Sequence, residues 1–517
     1  MRAGPRTAPL DRYTDIGELS EKVRLAVRRL AVPLAAVLVI EATYLAYSSR
    51  PGAAAFAMMA AGTCIALVFW SQRAIGLPLL PVMVIQNLII YAVPIATGHE
   101  VISTYPPAFV FSAGIEVLIF DVAMAMAWML GMRLFRPSPP ASHALHEFNR
   151  AGSRGWARLG FVMIAGATAF EVLQGLDLLD SLESAMPGGS EAILYALVSV
   201  VSACGFFLVA LTIGGGEASF LGKAVFWLLL VANAMMSASD FLLSAATANL
   251  ITVAIGLFWS GGRLPWRYLT VAMLALSFLN TGKYTMRARY WGNVDAPATH
   301  RSLGQLPACY TEWARVSYDA ILENKTELAQ ATNDSKAQAN KNQTLLDRVD
   351  NLQNLLFVID AIETNHIKPL EGKTYSVIPP LLVPRILWPE KPRTHEGQIL
   401  LNVHFGRQDL ESTFTTYVAW GLLPEAYGNF GPFAGSICLG IFLGVLFAWI
   451  ENFTARKLLV STEGFLSLSL LMNLMNSFEM VASVLVTSTF QSFVVIVAAS
   501  MPFVHRTVAR RPEPEDD

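Results

Sequence analysis

Long uninterrupted apolar runs are the feature that most constrains this chain. Ile65 to Trp70, Leu79 to Pro94, Ile193 to Ile213 and Ile437 to Ile450 all lie in such blocks. About 20 apolar residues in a row match the thickness of a bilayer when coiled as a helix. A helix also satisfies its own backbone polar groups, which an open strand in lipid does not. The fold class that follows is an all-α polytopic membrane protein with about twelve transmembrane helices. Composition agrees: 54% of the 517 residues are hydrophobic and only 15% are charged, against about a quarter charged in soluble domains.

The expected span centres are Leu38, Ala61, Ile89, Val122, Ile164, Ser202, Leu228, Ala248 and Ala275, then Ile441, Leu470 and Phe490 after a long polar insertion. Basic residues in the short loops set the orientation. Arg73, then Arg133 to Arg158, Lys223, Arg263 and Arg267, and Arg456 and Lys457 fall on one side, together with both termini. That side is the cytoplasm, and the insertion lies on the other. The predicted organisation is a cytoplasmic segment 1–30, a first bundle 31–282, an insertion 283–428, a second bundle 429–504 and a cytoplasmic tail 505–517. The first apolar run reads as an uncleaved span, because it is long enough to cross and no small-residue cleavage site is evident.

Several function classes are excluded at this stage. The net charge is −2 and no basic patch is interleaved with aromatics, so no nucleic acid partner is expected. Of four cysteines, only Cys309 falls in the insertion, which leaves no disulfide framework or metal cluster. No phosphate-cradling glycine loop, paired-histidine motif or Gly-x-Ser-x-Gly elbow occurs. Neither a metal nor another cofactor is expected. The absence of an internal repeat weighs against an inverted-repeat transporter.

Chemistry is concentrated in the insertion. Its first part, near Glu323 to His366, is rich in Asn, Gln, Lys and Ala. Leu345, Val349, Leu352, Leu356, Ile359 and Ile362 recur there at helical spacing, so an amphipathic helix is predicted that lies on the bilayer or caps other spans. The segment Pro384 to Arg393 follows. Its three prolines exclude regular helix and hold Arg385, Lys391 and Arg393 on a stiff loop around Trp388. Such cations lose little entropy on binding an anion, and arginine grips phosphate bidentately. An interfacial anchor with snorkelling cations is the competing reading.

The segment Gly421 to Pro432 opens the tenth expected span. Glu425 and Asn429 share a face if it is helical, with Tyr427 between them. Glu425 is then a general base or a hydroxyl-orienting group, or an acid at a helix N-terminus satisfying the dipole. Lys283, Arg287, Arg289, Tyr290 and Trp291, with Arg301 and Arg315, are candidates of second rank. Inside the spans Glu41, Gln86, Asn87, Glu116, Asp121, Glu171, Asn233, Asp240, Asn473, Asn476 and Glu479 stand out, since intramembrane polar groups are functional suspects. Asp121 is the deepest, with no cation at its depth, which leaves protonation or a polar partner on a neighbouring span.

The order of an Arg-x-x-Trp-Pro-x-Lys-Pro loop (Arg385 to Pro392), a Ser/Thr-bearing link (Ser412, Thr413, Thr415, Thr416) and a Glu-x-Tyr-x-Asn-Phe-Gly segment (Glu425 to Gly431) resembles the Wzy-type oligosaccharide repeat-unit polymerases. The resemblance implies a GT-C-like membrane glycosyltransferase plan, with a periplasmic insertion between spans 9 and 10 of a protein in the bacterial inner membrane. It implies inverting transfer of glycans carried on undecaprenyl pyrophosphate, without a nucleotide sugar, and the possible company of a polysaccharide chain-length regulator. Arg385, Lys391 and Arg393 then hold pyrophosphate, Glu425 activates or orients the acceptor hydroxyl, and Trp388, Tyr427, Asn429, Arg287 and Arg289 contact the substrate. An O-antigen ligase that transfers the glycan to lipid A core, and a flippase for the same lipid-linked sugar, are the alternatives.

Overall fold

A computed structural model describes residues 16–138, 152–290, 303–330 and 350–509, apart from 49, 51, 177, 180–189, 240, 242, 262–264, 384–386, 389, 415–417, 460 and 476. Among the described residues the protein is helical and has no strand. In chain order the main helices are α1 (Ile16–Tyr47), α2 (Ala53–Arg73), α3 (Leu79–Thr97), α4 (Pro107–Leu134), α5 (Gly152–Gly175), α6 (Ser190–Gly214), α7 (Phe220–Ser237), α8 (Leu243–Gly261), α9 (Trp266–Tyr290) and α10 (Leu306–Gln330). They continue with α11 (Leu352–Glu363), α12 (Glu396–His404), α13 (Leu422–Phe430), α14 (Ala434–Thr454), α15 (Thr462–Met475) and α16 (Ala482–Ala509).

Eight helices among the described residues are long and apolar enough to cross a membrane: α1 to α7, taking Gly155–Gly175 in α5 and Leu197–Gly214 in α6, and α14. These contain the expected centres Leu38, Ala61, Ile89, Val122, Ile164, Ser202, Leu228 and Ile441. The chain is thus a multi-pass membrane protein. The other four centres fall in α8, α9, α15 and α16. Shorter apolar stretches occupy Ala246–Gly261 and Ala482–Ala498, while α9 ends in Lys283, Arg287 and Arg289 and α15 has 14 residues.

The chain packs as two units. One comprises Met1–Asn149 with Val349–Asp517, and the other Arg150–Arg348. In the first, small residues let helices approach closely, as membrane packing favours. A Cβ on Gly444 of α14 would lie 2.2 Å from the Met124 carbonyl of α4, and one on Gly440 would lie 2.8 Å from that of Phe120. Gly114 of α4 meets Ala55 of α2 as tightly, with 2.5 Å to its Cα. Polar side chains close the same bundle. Asn87 donates to Asp121 at 2.7 Å, which supplies the partner expected for Asp121 on a neighbouring span. Glu116 accepts the Phe433 amide at 2.9 Å and the Ser436 hydroxyl, at the start of α14.

Helix α3 contains a π-helical turn, Leu88–Ala92, just before Pro94. Proline has no N–H to return to the preceding turn. The Ile90 carbonyl, four residues back, accepts the Asn351 amide at 3.0 Å instead. The chain re-enters this unit there and continues into α11. The amphipathic pattern read in the sequence is helical from Leu352, and Leu352, Leu355, Leu356 and Ile359 are buried in this unit. The part of that pattern carrying Leu345 and Val349 lies outside the described residues.

In the second unit α6 packs against α5 and α8 around Ile164, Phe206, Val209, Phe226 and Val253. Glu171 accepts from Asn233 at 2.8 Å, and Asn233 accepts from Asn249 at 2.6 Å. Asp240 and Asn476 lie outside the described residues.

Candidate functional site

The second sequence motif folds as α13, between Gly421 and Gly431. Both glycines have positive φ, 96° and 77°, a region that glycine enters without strain. At Gly421 there is also no room for a side chain, because a Cβ would lie 1.9 Å from the Asn351 amide nitrogen. Every residue from Leu422 to Asn429 is buried. The last carbonyls of a helix need donors from elsewhere. Here Leu370 donates to the Gly428 carbonyl at 3.0 Å and Glu371 to that of Asn429 at 2.8 Å.

Glu425 is completely buried and is bonded through both oxygens. Its Oε1 accepts the Thr374 hydroxyl at 2.7 Å, and its Oε2 accepts the Ala482 amide at 2.6 Å. The carboxyl therefore sits in the first turn of α13 and at the N-terminus of α16, where two helix dipoles favour negative charge. Asn429 donates to Thr374 Oγ1 and to the Glu425 carbonyl, both at 2.8 Å. Glu425, Thr374 and Asn429 form one closed cluster. Burial pushes the Glu425 carboxyl up to about 7, against the pull of the Ala482 and Thr374 hydrogen bonds. A group poised there exchanges a proton near neutral pH. Its contact with a substrate requires Thr374 to turn aside, because both oxygens are engaged.

Tyr427 is buried along its ring, and its hydroxyl lies 3.3 Å from Glu363 Oε1 on α11. Burial and the Glu363 and Glu116 carboxylates raise its phenol well above the usual value. The proline-rich segment is described in part. Arg385 lies outside the described residues. Trp388 is exposed. The Lys391 amine donates to the carbonyls of Leu381 and Val383, both at 2.7 Å. Arg393 faces Glu396 at 3.7 Å.

Arg287 and Arg289 belong to the other unit. The Arg287 guanidinium donates to the Phe241 carbonyl at 2.8 and 3.2 Å. Arg289 pairs with Glu312 at 2.8 Å. Lys283 is buried and bonded to Asn280 at 3.3 Å. Trp291 and Arg301 lie outside the described residues.

Sequence reasoning missed Arg407, which follows α12. Its guanidinium lies 5.1 Å from the centre of the Phe357 ring and 5.8 Å from that of Trp420. Nη1 donates to Asn354 Oδ1 at 2.7 Å and to the Ala419 carbonyl at 3.3 Å. Asn354 donates to Asn351 Oδ1 at 2.6 Å and to the Trp420 carbonyl at 3.0 Å, and Asn351 donates to the Tyr91 hydroxyl at 3.3 Å. Glu451 was also missed, although it sits fully buried on α14 among four donors. A lone arginine in a polar loop and an acid at the end of an apolar run carry no local signal. Their partners come from distant segments.

Among the described residues no group of three or more acidic, histidine or cysteine side chains is placed to hold a metal. No protein-family model, curated protein or solved structure matches this chain.

Proposed function

We propose that this protein is a membrane glycosyltransferase that polymerises undecaprenyl-pyrophosphate-linked oligosaccharide repeat units at the periplasmic face of the bacterial inner membrane. In this reading the chain crosses the membrane about twelve times with both termini in the cytoplasm. Its multi-pass character and the resemblance of its two motifs to the Wzy-type polymerases support it.

The observation that carries the proposal is the way one short segment joins the two motifs. Thr374 bonds Glu425 in the second motif. Leu381 and Val383, a few residues on, hold Lys391 of the first. Residues 34 apart in sequence, Lys391 and Glu425, are thereby fixed to one stretch, 374–383. A donor pyrophosphate and an acceptor hydroxyl must be held together in the same way for transfer to occur. Negative charge builds on the departing lipid pyrophosphate, and fixed cations stabilise it without reorganising. A carboxyl with a pKa near 7 takes the proton from the acceptor hydroxyl as the new glycosidic bond forms.

The test is purified protein with a lipid-pyrophosphate-linked repeat unit, without nucleotide sugar or ATP. A ladder of longer lipid-linked glycans that disappears with Arg385→Ala supports the reading. With folded protein and the native repeat unit, failure to form a ladder counts against it. Transfer to lipid A core in the same mixture would identify a ligase, and movement of the unit across the membrane without transfer would identify a flippase.

A further inference from the structure

The charge of Arg407 is held beside two aromatic rings and two neutral oxygens. The side chain is partly buried, and burial disfavours its cationic form. An arginine cannot escape that cost by losing its proton. Partly buried guanidinium groups are therefore normally found with a carboxylate or another anion. Among the described residues none pairs with Arg407. Its direct polar partners are the side-chain oxygen of Asn354 and the carbonyl of Ala419, both uncharged and both reached by Nη1. Five N–H donors are arranged in a planar fork, so the Nε and Nη2 edge remains open for an acceptor.

The fork is also rigidly held. Phe357 and Trp420 lie near it, and the Trp420 indole is itself fixed by a 2.6 Å bond to Asn402. Asn354 aims Nη1 and is anchored through Asn351 to Tyr91 of α3. Little side-chain entropy is left to lose on binding.

We infer that Arg407 binds a phosphoryl group, that of a lipid-linked pyrophosphate. A planar fork with one edge free matches two phosphate oxygens. The lipid's identity rests on the function proposed above, whereas the phosphate chemistry does not.

The experiment uses the full chain in zwitterionic phosphatidylcholine nanodiscs and a fluorescent polyprenyl pyrophosphate as probe. Wild-type binding should weaken with rising salt. Arg407→Gln should bind about tenfold more weakly or worse, and Arg407→Lys, which keeps charge but loses the fork, should fall between. Thermal unfolding checks that the variants are folded. If the Gln variant is not, the Lys variant decides. Unchanged binding in a folded variant, or salt-insensitive wild-type binding, overturns the inference. Inorganic pyrophosphate as competitor separates the two sources: displacement at concentrations similar to unlabelled probe assigns free phosphate, and weak displacement assigns the lipid. Intact, Arg407-dependent binding without a glycan ladder would sink the polymerase reading and leave the site standing. An unimpaired ladder and unimpaired binding in Arg407→Gln would do the reverse.

Discussion

Glu425 and Thr374, 51 residues apart, are joined by a 2.7 Å hydrogen bond from the threonine hydroxyl to the buried carboxyl. The second carboxyl oxygen takes the amide that opens α16. One side chain thus ties α13, the segment after α11 and the last helix together. It also carries a titration near neutral pH inside a packed site, so its structural and chemical roles oppose one another.

Stability should fall as this carboxyl ionises. Its pKa is raised from 4.5 to about 7, chiefly by burial, so the folded protein binds a proton that the unfolded chain releases earlier. The resulting stabilisation is complete below about pH 4.5 and is lost as the pH rises through about 7. At 1.36 kcal/mol per pKa unit the loss is roughly 3 kcal/mol. Wild type and Glu425→Gln should therefore differ in the slope of unfolding midpoint against pH between 5 and 8, the Gln variant being flatter. Parallel curves would mean that Glu425 does not titrate in this window.

Transfer activity should move the opposite way. If the ionised carboxyl accepts the proton of the acceptor hydroxyl, the initial rate of ladder formation rises through about pH 7 and is largely lost in Glu425→Gln. The Thr374 hydroxyl pulls the carboxyl down, so Thr374→Val should shift the rising limb to higher pH. The shift distinguishes proton acceptance from a purely structural bond. A profile that keeps its position in Thr374→Val would assign the titration to another group.

What the sequence disclosed follows the range of each interaction. Eight spans were legible because an apolar run is a local signal, and Leu38 through Leu228 and Ile441 each fall inside the helix they predict. The partition of the chain was not, because nothing local says that α14 will pack on α4 across more than 300 residues. Lys391 read as a cation on a stiff loop, and nothing local signals that its amine also donates to two carbonyls at the end of the short helix Ile378–Leu382. Arg407 gave no sign of itself, since Phe357, Asn354 and Trp420 reach it from three other positions in the chain.

Gly421→Ala should cost about 2–3 kcal/mol, from backbone strain at positive φ and displacement of Asn351. The displaced amide is the one that holds Tyr91 and Asn354, so lipid-pyrophosphate binding should weaken along with stability. The double variant with Asn351→Ala separates the terms. Removing the amide relieves the collision but not the strain, so the two effects should be less than additive. Strict additivity in thermal unfolding would show that Asn351 yields at no cost.

Glu451 offers the counter-case of a buried acid whose work is structural. Its Oε2 accepts the indole N–H of Trp128 at 2.9 Å and of Trp70 at 3.2 Å, and its Oε1 accepts the backbone of Ile75 at 2.9 Å and Gly76 at 3.4 Å. Four donors from α2, α4 and the α2–α3 loop converge on one carboxylate. Glu451→Ala strands them together, and leaving buried hydrogen-bonding groups without a partner is among the costliest changes a core can suffer. A loss of about 3–5 kcal/mol is expected, with a red shift of tryptophan emission as Trp70 and Trp128 loosen. Glu451→Gln keeps the shape and one acceptor oxygen but turns an amide against the remaining donors, so its cost should be smaller. Glu451 stands 17 residues along α14 from its start, about 25 Å from the end next to α13. A folded Glu451→Gln protein should therefore lose stability and yet retain the pH profile of transfer. A displaced profile in that variant would mean that the two buried carboxyls communicate along α14, and that the site near Glu425 cannot be treated as self-contained.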